Sequence, residues 1–360
     1  MMIEGKRLES IWYDKELDVV KIIDQNLLPH ELRIAELKNL SDACRAITTM
    51  QVRGAPLIGI TAAYGLYLSL KEDPRQQQLA IKKLLDTRPT AINLRWALDK
   101  MQQSLSGIES ELLAEKALET ACLLEEEDSV ICEAIGESGL PILQALWRQK
   151  KGYQDCINIL THCNAGALAA VDWGTALSVI YKTAEAGVPI HVWVDETRPR
   201  NQGASLTCWE LSQAGIPNTL IVDNAGGHLM QIGQVDICVV GSDRTTLGGD
   251  VCNKIGTYLK ALAAAANNIP FYAALPISTI DSSMVTGIGN IPIEERSADE
   301  ISYVYGVDQS GNRSKVRITE ERTRIQNYGF DITPAQLITG IITEKGVFQA
   351  NEIALRGALD

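Results

Sequence analysis

The apolar positions of this chain change their period near residue 155. Upstream, three short stretches alternate: "SIWYD" from Ser10, "DVVKIIDQ" from Asp18 and "ELRIAEL" from Glu31. Period-two patterning of this length predicts the strands of a small antiparallel sheet. The pattern then turns helical. "SDACRAITTM" has a Ser/Asp start before its apolar period, and "APLIGITAAYGLYLSLKED" carries Pro56 where the first turn of a helix tolerates proline. "AINLRWALDKMQQSL" and the Ala/Leu/Glu-rich stretch from Leu112 to Cys132 continue that texture, and a helix through about 125 to 150 joins the halves without a Pro/Gly/Ser linker.

Downstream of Asp155 nearly continuous apolar runs recur: "CINIL", "IHVWVD", "NTLIVD", "DICVVG" and "FYAAL". Between them lie segments that read as helices at Gly166–Ala186, Ala204–Ala214, His228–Gly233 and Val251–Asn267. Apolar strands alternating with helices predict a parallel sheet covered on both faces. The expected fold is therefore α/β. An N-terminal mixed domain over residues 1–130 (a small antiparallel sheet plus helices) leads through a connecting helix at 131–150 to a Rossmann-like, doubly wound domain at 151–360. In such sheets ligands bind beyond the carboxyl ends of the strands.

The loops at those ends are "THCNAGAL", "DETRPRNQGAS", "DNAGGHL" and "GSDRTTLGGDVCNK". Cys163 reads either as a small core hydrophobe or as a thiol at a helix N-terminus, where the dipole lowers its pKa and frees it to act as base or nucleophile. His162 reads as structural, because neighbours on an extended chain point to opposite faces. Asp243 follows a strand free of charge. It is either a loop cap or a carboxyl held against apolar surroundings, with its pKa raised so that it can donate a proton. Asp250 reads as a helix cap. Asn253 and Lys254 open the expected helix, and a lysine there suits a site where an anion offsets it. Arg198 offers a fork for phosphate and Gln202 an amide for a sugar hydroxyl. In "QVRGAPLIG" the free N–H groups of Gly54 and Ala55 beside Arg53 form a phosphate cradle. Arg88 repeats the theme of Arg before Pro and a helix.

Composition narrows the partners. Of the 360 residues 46% are hydrophobic and 22% charged, with a formal charge of −12 and no Lys/Arg run. That balance argues against nucleic acid or an acidic membrane surface. No apolar h-region opens the chain, and no apolar stretch approaches the ~20 residues of a membrane span. The eight cysteines are scattered without a CxxC. They read as reduced thiols in the cytoplasm, and zinc is not expected. GxGxxG after a strand, GxxxxGK[ST] and GxSxG are absent, which points away from dinucleotides, nucleoside triphosphates and the hydrolase elbow. A small phosphorylated substrate remains.

Eight segments in order make the resemblance specific. They include "MQVRGAPLIGITAAYGLYL", "RPTAINLRWALDKM", "THCNAGALA", "VDETRPRNQGASLTCWEL", "GSDRTTLGGDVCNKIGTYLKALAA" and "IPIEER". From about residue 8 to residue 345 the chain resembles the methylthioribose-1-phosphate isomerases. Their superfamily also holds ribose-1,5-bisphosphate isomerases and the regulatory subunits of the translation initiation guanine-nucleotide exchange factor. The resemblance implies aldose–ketose isomerisation in methionine salvage, with no metal or organic cofactor and usually a homodimer. It assigns the catalytic cysteine to Cys163 and the proton-donor aspartate to Asp243. Substrate contacts fall on Arg53, Gly54, Ala55, Arg88, Gln202, Asn253 and Lys254. Within the superfamily, the alternatives are ribose-1,5-bisphosphate isomerisation and a non-catalytic regulatory subunit on the same fold.

Overall fold

The computed structural model describes residues 1–3 and 5–359. The three alternating stretches form an antiparallel sheet, β1 (Ile11–Asp14), β2 (Val19–Ile23) and β3 (Ile34–Leu37), with β2 central. Four helices follow: α1 (Leu40–Thr48), α2 (Ala55–Glu72), α3 (Gln77–Thr87) and α4 (Ile92–Ser104). The side chain of Asn39, not of Ser41, caps α1 by accepting from the Asp42 N–H. Helix α2 is apolar nearly all round, and it is buried nearly all round.

Next comes α5 (Leu113–Lys150), 38 residues long and so about 57 Å at 1.5 Å per residue. The stretch expected at 131–150 is its second half. Helix α5 packs against α2 at one end and α6 (Ala176–Glu185) at the other. Its Ala117 and Leu124 join the core of the first half, whereas Ile135 and Leu143 join that of the second. Contact with α6 is close enough that a Cβ at Gly136 would meet Ser178 Oγ at 2.3 Å.

The second half is built on strands β4 (Ile157–Thr161), β5 (Ile190–Asp195), β6 (Asn218–Ile221) and β7 (Ile237–Val240). Three helices lie among them, α6, α7 (Cys208–Gln213) and α8 (Ala225–Gln231). Strands β8 (Arg244–Thr246), β9 (Val251–Lys254), helix α9 (Thr257–Ala266), β10 (Phe271–Ala274) and β11 (Ile280–Asp281) continue the chain. A protruding hairpin, β12 (Tyr303–Val307) and β13 (Arg313–Arg317), precedes β14 (Phe330–Thr333), β15 (Gly340–Thr343), β16 (Gly346–Phe348) and α10 (Glu352–Leu359).

The main sheet runs β16-β15-β10-β7-β4-β5-β6, parallel throughout except for β16 on the edge. Its first strand, β4, lies inside. The chain winds outward through β5 and β6, then returns to β7 on the other flank. The switch point is therefore between β4 and β7, whose ends carry Cys163 and Asp243.

Two expected helices are shorter than their pattern. The stretch Val251–Asn267 begins as strand β9, because β14 lies far along the chain: Asn253 pairs with Asp331 and Lys254 with Phe330 there, while Cys252 pairs with Arg244 on the nearby β8. Gly256, at φ +103°, then turns the backbone into α9. Lys254 thus ends a strand and does not open a helix. The stretch from Gly166 is likewise a loop with one short turn at Ala167–Ala169, closed by pairing of Gly166 with Gly174, and α6 begins only at Ala176. Among the described residues no helix is long and apolar enough to cross a membrane.

Candidate active site

A cleft opens where the first half meets the switch point. Arg53, Gly54, Ala55, Arg88, Cys163, Gln202, Asp243, Asn253 and Lys254 all line it, with His162, Asn164, Arg296 and Phe330. Every residue singled out by the resemblance therefore borders one volume.

Arg53 enters from the first half and is buried. Its two terminal nitrogens donate to Asn164, one to Oδ1 and one to the backbone carbonyl, both at 2.6 Å. Gly54 adopts φ +97° as the N-cap of α2, and a Cβ there would come within 2.4 Å of the Ala169 carbonyl. Only glycine permits both that conformation and that approach. Asn164 is fixed in turn by Glu210, which accepts from Asn164 Nδ2 at 2.8 Å, Ala167 N at 2.7 Å and Tyr181 Oη at 3.0 Å. This fully buried carboxylate on α7 holds the whole Gly-rich loop in place of the helix expected there.

Cys163 has φ +65°, donates its N–H to Thr197 Oγ1 at 2.8 Å and accepts at its carbonyl from Thr207 Oγ1 at 2.6 Å. With no helix N-terminus behind it, the thiol lacks the dipole that would depress its pKa. Burial instead pushes it up, and Arg53 and Lys254 pull it back. Burial also raises the Asp243 carboxyl, against Lys254, Arg88 and Arg53. That is the direction expected of a carboxyl held against apolar surroundings. Lys254 and Arg53 are themselves pushed down by burial, with Cys163 and Asp243 opposing it. These four groups sense one another, a thiol and a carboxyl between two cations.

Lys254 Nζ donates to the Gly329 carbonyl at 3.0 Å and lies 5.2 Å from the centre of the Phe330 ring. Asn253 Nδ2 donates to Thr257 Oγ1 at 3.1 Å. The Gln202 amide oxygen is buried without a partner among the described residues, so it is available to a ligand donor. Arg88 pairs with Glu294 at 2.8 Å, and its Nε is also unpartnered.

Two readings are corrected. Arg198 turns away from the cleft and donates to the Ile301 carbonyl at 3.0 Å. Asp250 is not a helix cap: it accepts from Gly287 N at 2.8 Å and Ala335 N at 3.0 Å, tying two distant loops. Arg296 lies in the charged run "EERSADE", whose local pattern is that of a solvated face. In the fold it is held by Glu294 and Glu300 at 2.5 and 2.7 Å and reaches the cleft. His162, Asp195 and Asp223 converge behind the site, but the Lys260 ammonium lies 3.2 Å from Asp195 Oδ2 and supplies the positive charge there.

A Rossmann-ordered sheet whose switch point opens on a cleft shared with a separate N-terminal half defines a class of protein. The model of the initiation factor 2 subunit family matches residues 51–350. Methylthioribose-1-phosphate isomerase of Methylorubrum extorquens is 53% identical over 99% of this chain and 98% of its own. That of Rhodospirillum rubrum is 54% identical over 99% and 93%. Among solved structures, 5-methylthioribose 1-phosphate isomerase from Pyrococcus horikoshii superposes with a TM-score of 0.82 at 36% identity, covering 98% of this chain and 96% of its own. The subunit delta of translation initiation factor eIF-2B from A. fulgidus gives 0.78 at 38%, covering 97% and 100%. The chain belongs to the initiation factor 2 subunit family and, within it, to the methylthioribose-1-phosphate isomerases.

Proposed function

We propose that this protein is the aldose–ketose isomerase that converts 5-methylthioribose 1-phosphate to 5-methylthioribulose 1-phosphate in methionine salvage, acting in the cytoplasm as a homodimer. The observation that carries the reading is the convergence of Cys163 and Asp243 on one cleft with Arg53 and Lys254. A regulatory subunit needs the architecture without that pair. Ribose-1,5-bisphosphate isomerisation would demand cations for a second phosphate.

The phosphate ester on C1 keeps the sugar ring closed, so an acid must protonate the ring oxygen for the C1–O bond to break. Asp243, whose pKa burial raises, is that acid. Arg53, Lys254 and the N–H groups of Gly54 and Ala55 hold the phosphate, and Gln202, Asn253 and Arg88 orient the sugar. The hydrogen on C2 then moves to C1 while the C2 hydroxyl becomes a carbonyl, its proton returning to Asp243. Cys163 serves this transfer. As a thiolate it takes the C2 proton through an enediol. As a neutral thiol it excludes water while a hydride shifts directly. Burial of the thiol favours the second route. Turnover in D₂O is expected to give product without deuterium at C1, and extensive incorporation would overturn the hydride route. Cys163→Ala and Asp243→Asn are each expected to lose at least about 10²-fold in kcat. Full activity in either removes that residue from its role.

A further inference from the structure

The search outside the residues already assigned leads to His162. Its Nδ1 lies 2.8 Å from Asp195 Oδ2 and its Nε2 lies 2.8 Å from the Ile255 carbonyl. Each ring nitrogen therefore faces an oxygen acceptor, one a carboxylate and one a backbone carbonyl. The ring is buried at 1% exposure, and the ideal Cβ position of Gly256 lies 3.0 Å from it, so that turn leaves no slack. Asp195 ends β5 and is shared with Lys260, which also donates to the Asp223 carbonyl. Asp331 faces the same ring, accepting from Gly256 N at 2.7 Å and from Tyr258 N at 3.1 Å.

The consequence lies in what the two bonds join. His162 precedes Cys163 on the β4 loop. Ile255 follows Lys254 on β9. The β9 strand is laid down antiparallel, in the second sheet, and no main-sheet hydrogen bond fixes its end against β4. The side-chain bridge through His162 does so. Lys254 is the leading cation on Asp243 and the second on Cys163, so its placement sets the electrostatics of both.

We infer that His162 is a positioning residue, clamped by Asp195 and Lys260, whose Nε2–H to the Ile255 carbonyl fixes Lys254 against the Cys163–Asp243 pair. The two carboxamide substitutions separate its two bonds. Asn presents a nitrogen where His has Nδ1 and keeps only the Asp195 arm. Gln presents one where His has Nε2 and keeps only the Ile255 arm.

The test measures the pH dependence of Cys163 alkylation by iodoacetamide, followed on the Cys163 peptide by mass spectrometry, with steady-state turnover alongside. In His162→Asn the alkylation midpoint is expected to move to higher pH, with kcat down about tenfold, the equivalent of one hydrogen bond, and KM within about threefold. His162→Gln is expected to stay within about threefold of wild type on all three readings. Equal behaviour of the two variants, or a Cys163 in His162→Asn that alkylates as in the wild type, overturns the inference. If His162→Asn does not fold, His162→Leu takes its place. It offers no donor to the Ile255 carbonyl and must shift alkylation in the same direction. Only the turnover arm rests on the isomerase reading. An inert wild-type protein on the methylthio sugar defeats that reading, while the alkylation result still decides the role of His162.

Discussion

Asp128 lies on α5, 9% exposed, and its carboxylate accepts one hydrogen bond, from Val171 N at 2.8 Å. Burial pushes its pKa up from 3.8 to about 7, opposed only by that N–H. In the unfolded chain the group titrates near 3.9. Between about pH 4 and pH 7 the folded protein therefore holds a proton that the unfolded chain has lost. Stability must fall as pH rises through this window, and the loss is complete above about pH 7. At about 1.4 kcal/mol per pH unit over some three units, the ceiling is about 4 kcal/mol. Local relaxation brings the expected value to about 2–4 kcal/mol. Asp128→Asn removes the charge and keeps an acceptor for Val171 N. Urea or thermal unfolding of both proteins between pH 5 and pH 8 measures the difference. The variant is expected to exceed the wild type by about 1.4 kcal/mol near pH 5, one unit into the window, and the gap to widen to several degrees in Tm by pH 8. Glu125, raised to about 7 beside Tyr64, adds a slope common to both proteins. Parallel stability–pH curves for the two would refute the reasoning.

Gly54→Ala forces a residue with φ +97° to carry a methyl 2.4 Å from the Ala169 carbonyl. It is expected to cost about 2–4 kcal/mol in unfolding free energy and to displace Arg53, with kcat/KM lowered more than tenfold. A variant with wild-type denaturation and kinetics would contradict that close approach. Arg88→Ala removes one cationic partner of the cleft, and KM is expected to rise about tenfold with kcat within threefold. A fall in kcat at constant KM would instead place Arg88 in the chemical step.

The parallel strands were legible because burial on both faces leaves little but apolar residues, as in "ICVV" of β7, where all four positions are buried. The cleft followed from where such strands end. What local pattern did not carry was long-range pairing. Val251–Lys254 is set as strand by β14, nearly eighty residues on, so its continuity with α9 misleads. Glu210 sits in "CWEL", where a carboxylate reads as a helix surface, yet it anchors the loop that local texture assigned to helix. Asp250 likewise meets Gly287 and Ala335, partners beyond any local window. The dipole that would lower the Cys163 pKa is missing for the same reason, since no helix begins at Gly166, and burial sets the direction instead.

Helix α5 is common property. Its upstream turns are wall to one interior, and its downstream turns roof one face of the parallel sheet. A chain severed just past Lys150 would strip the later half of that roof and leave the earlier half trailing a greasy, unsheltered rod. Neither half is therefore closed without the whole of α5.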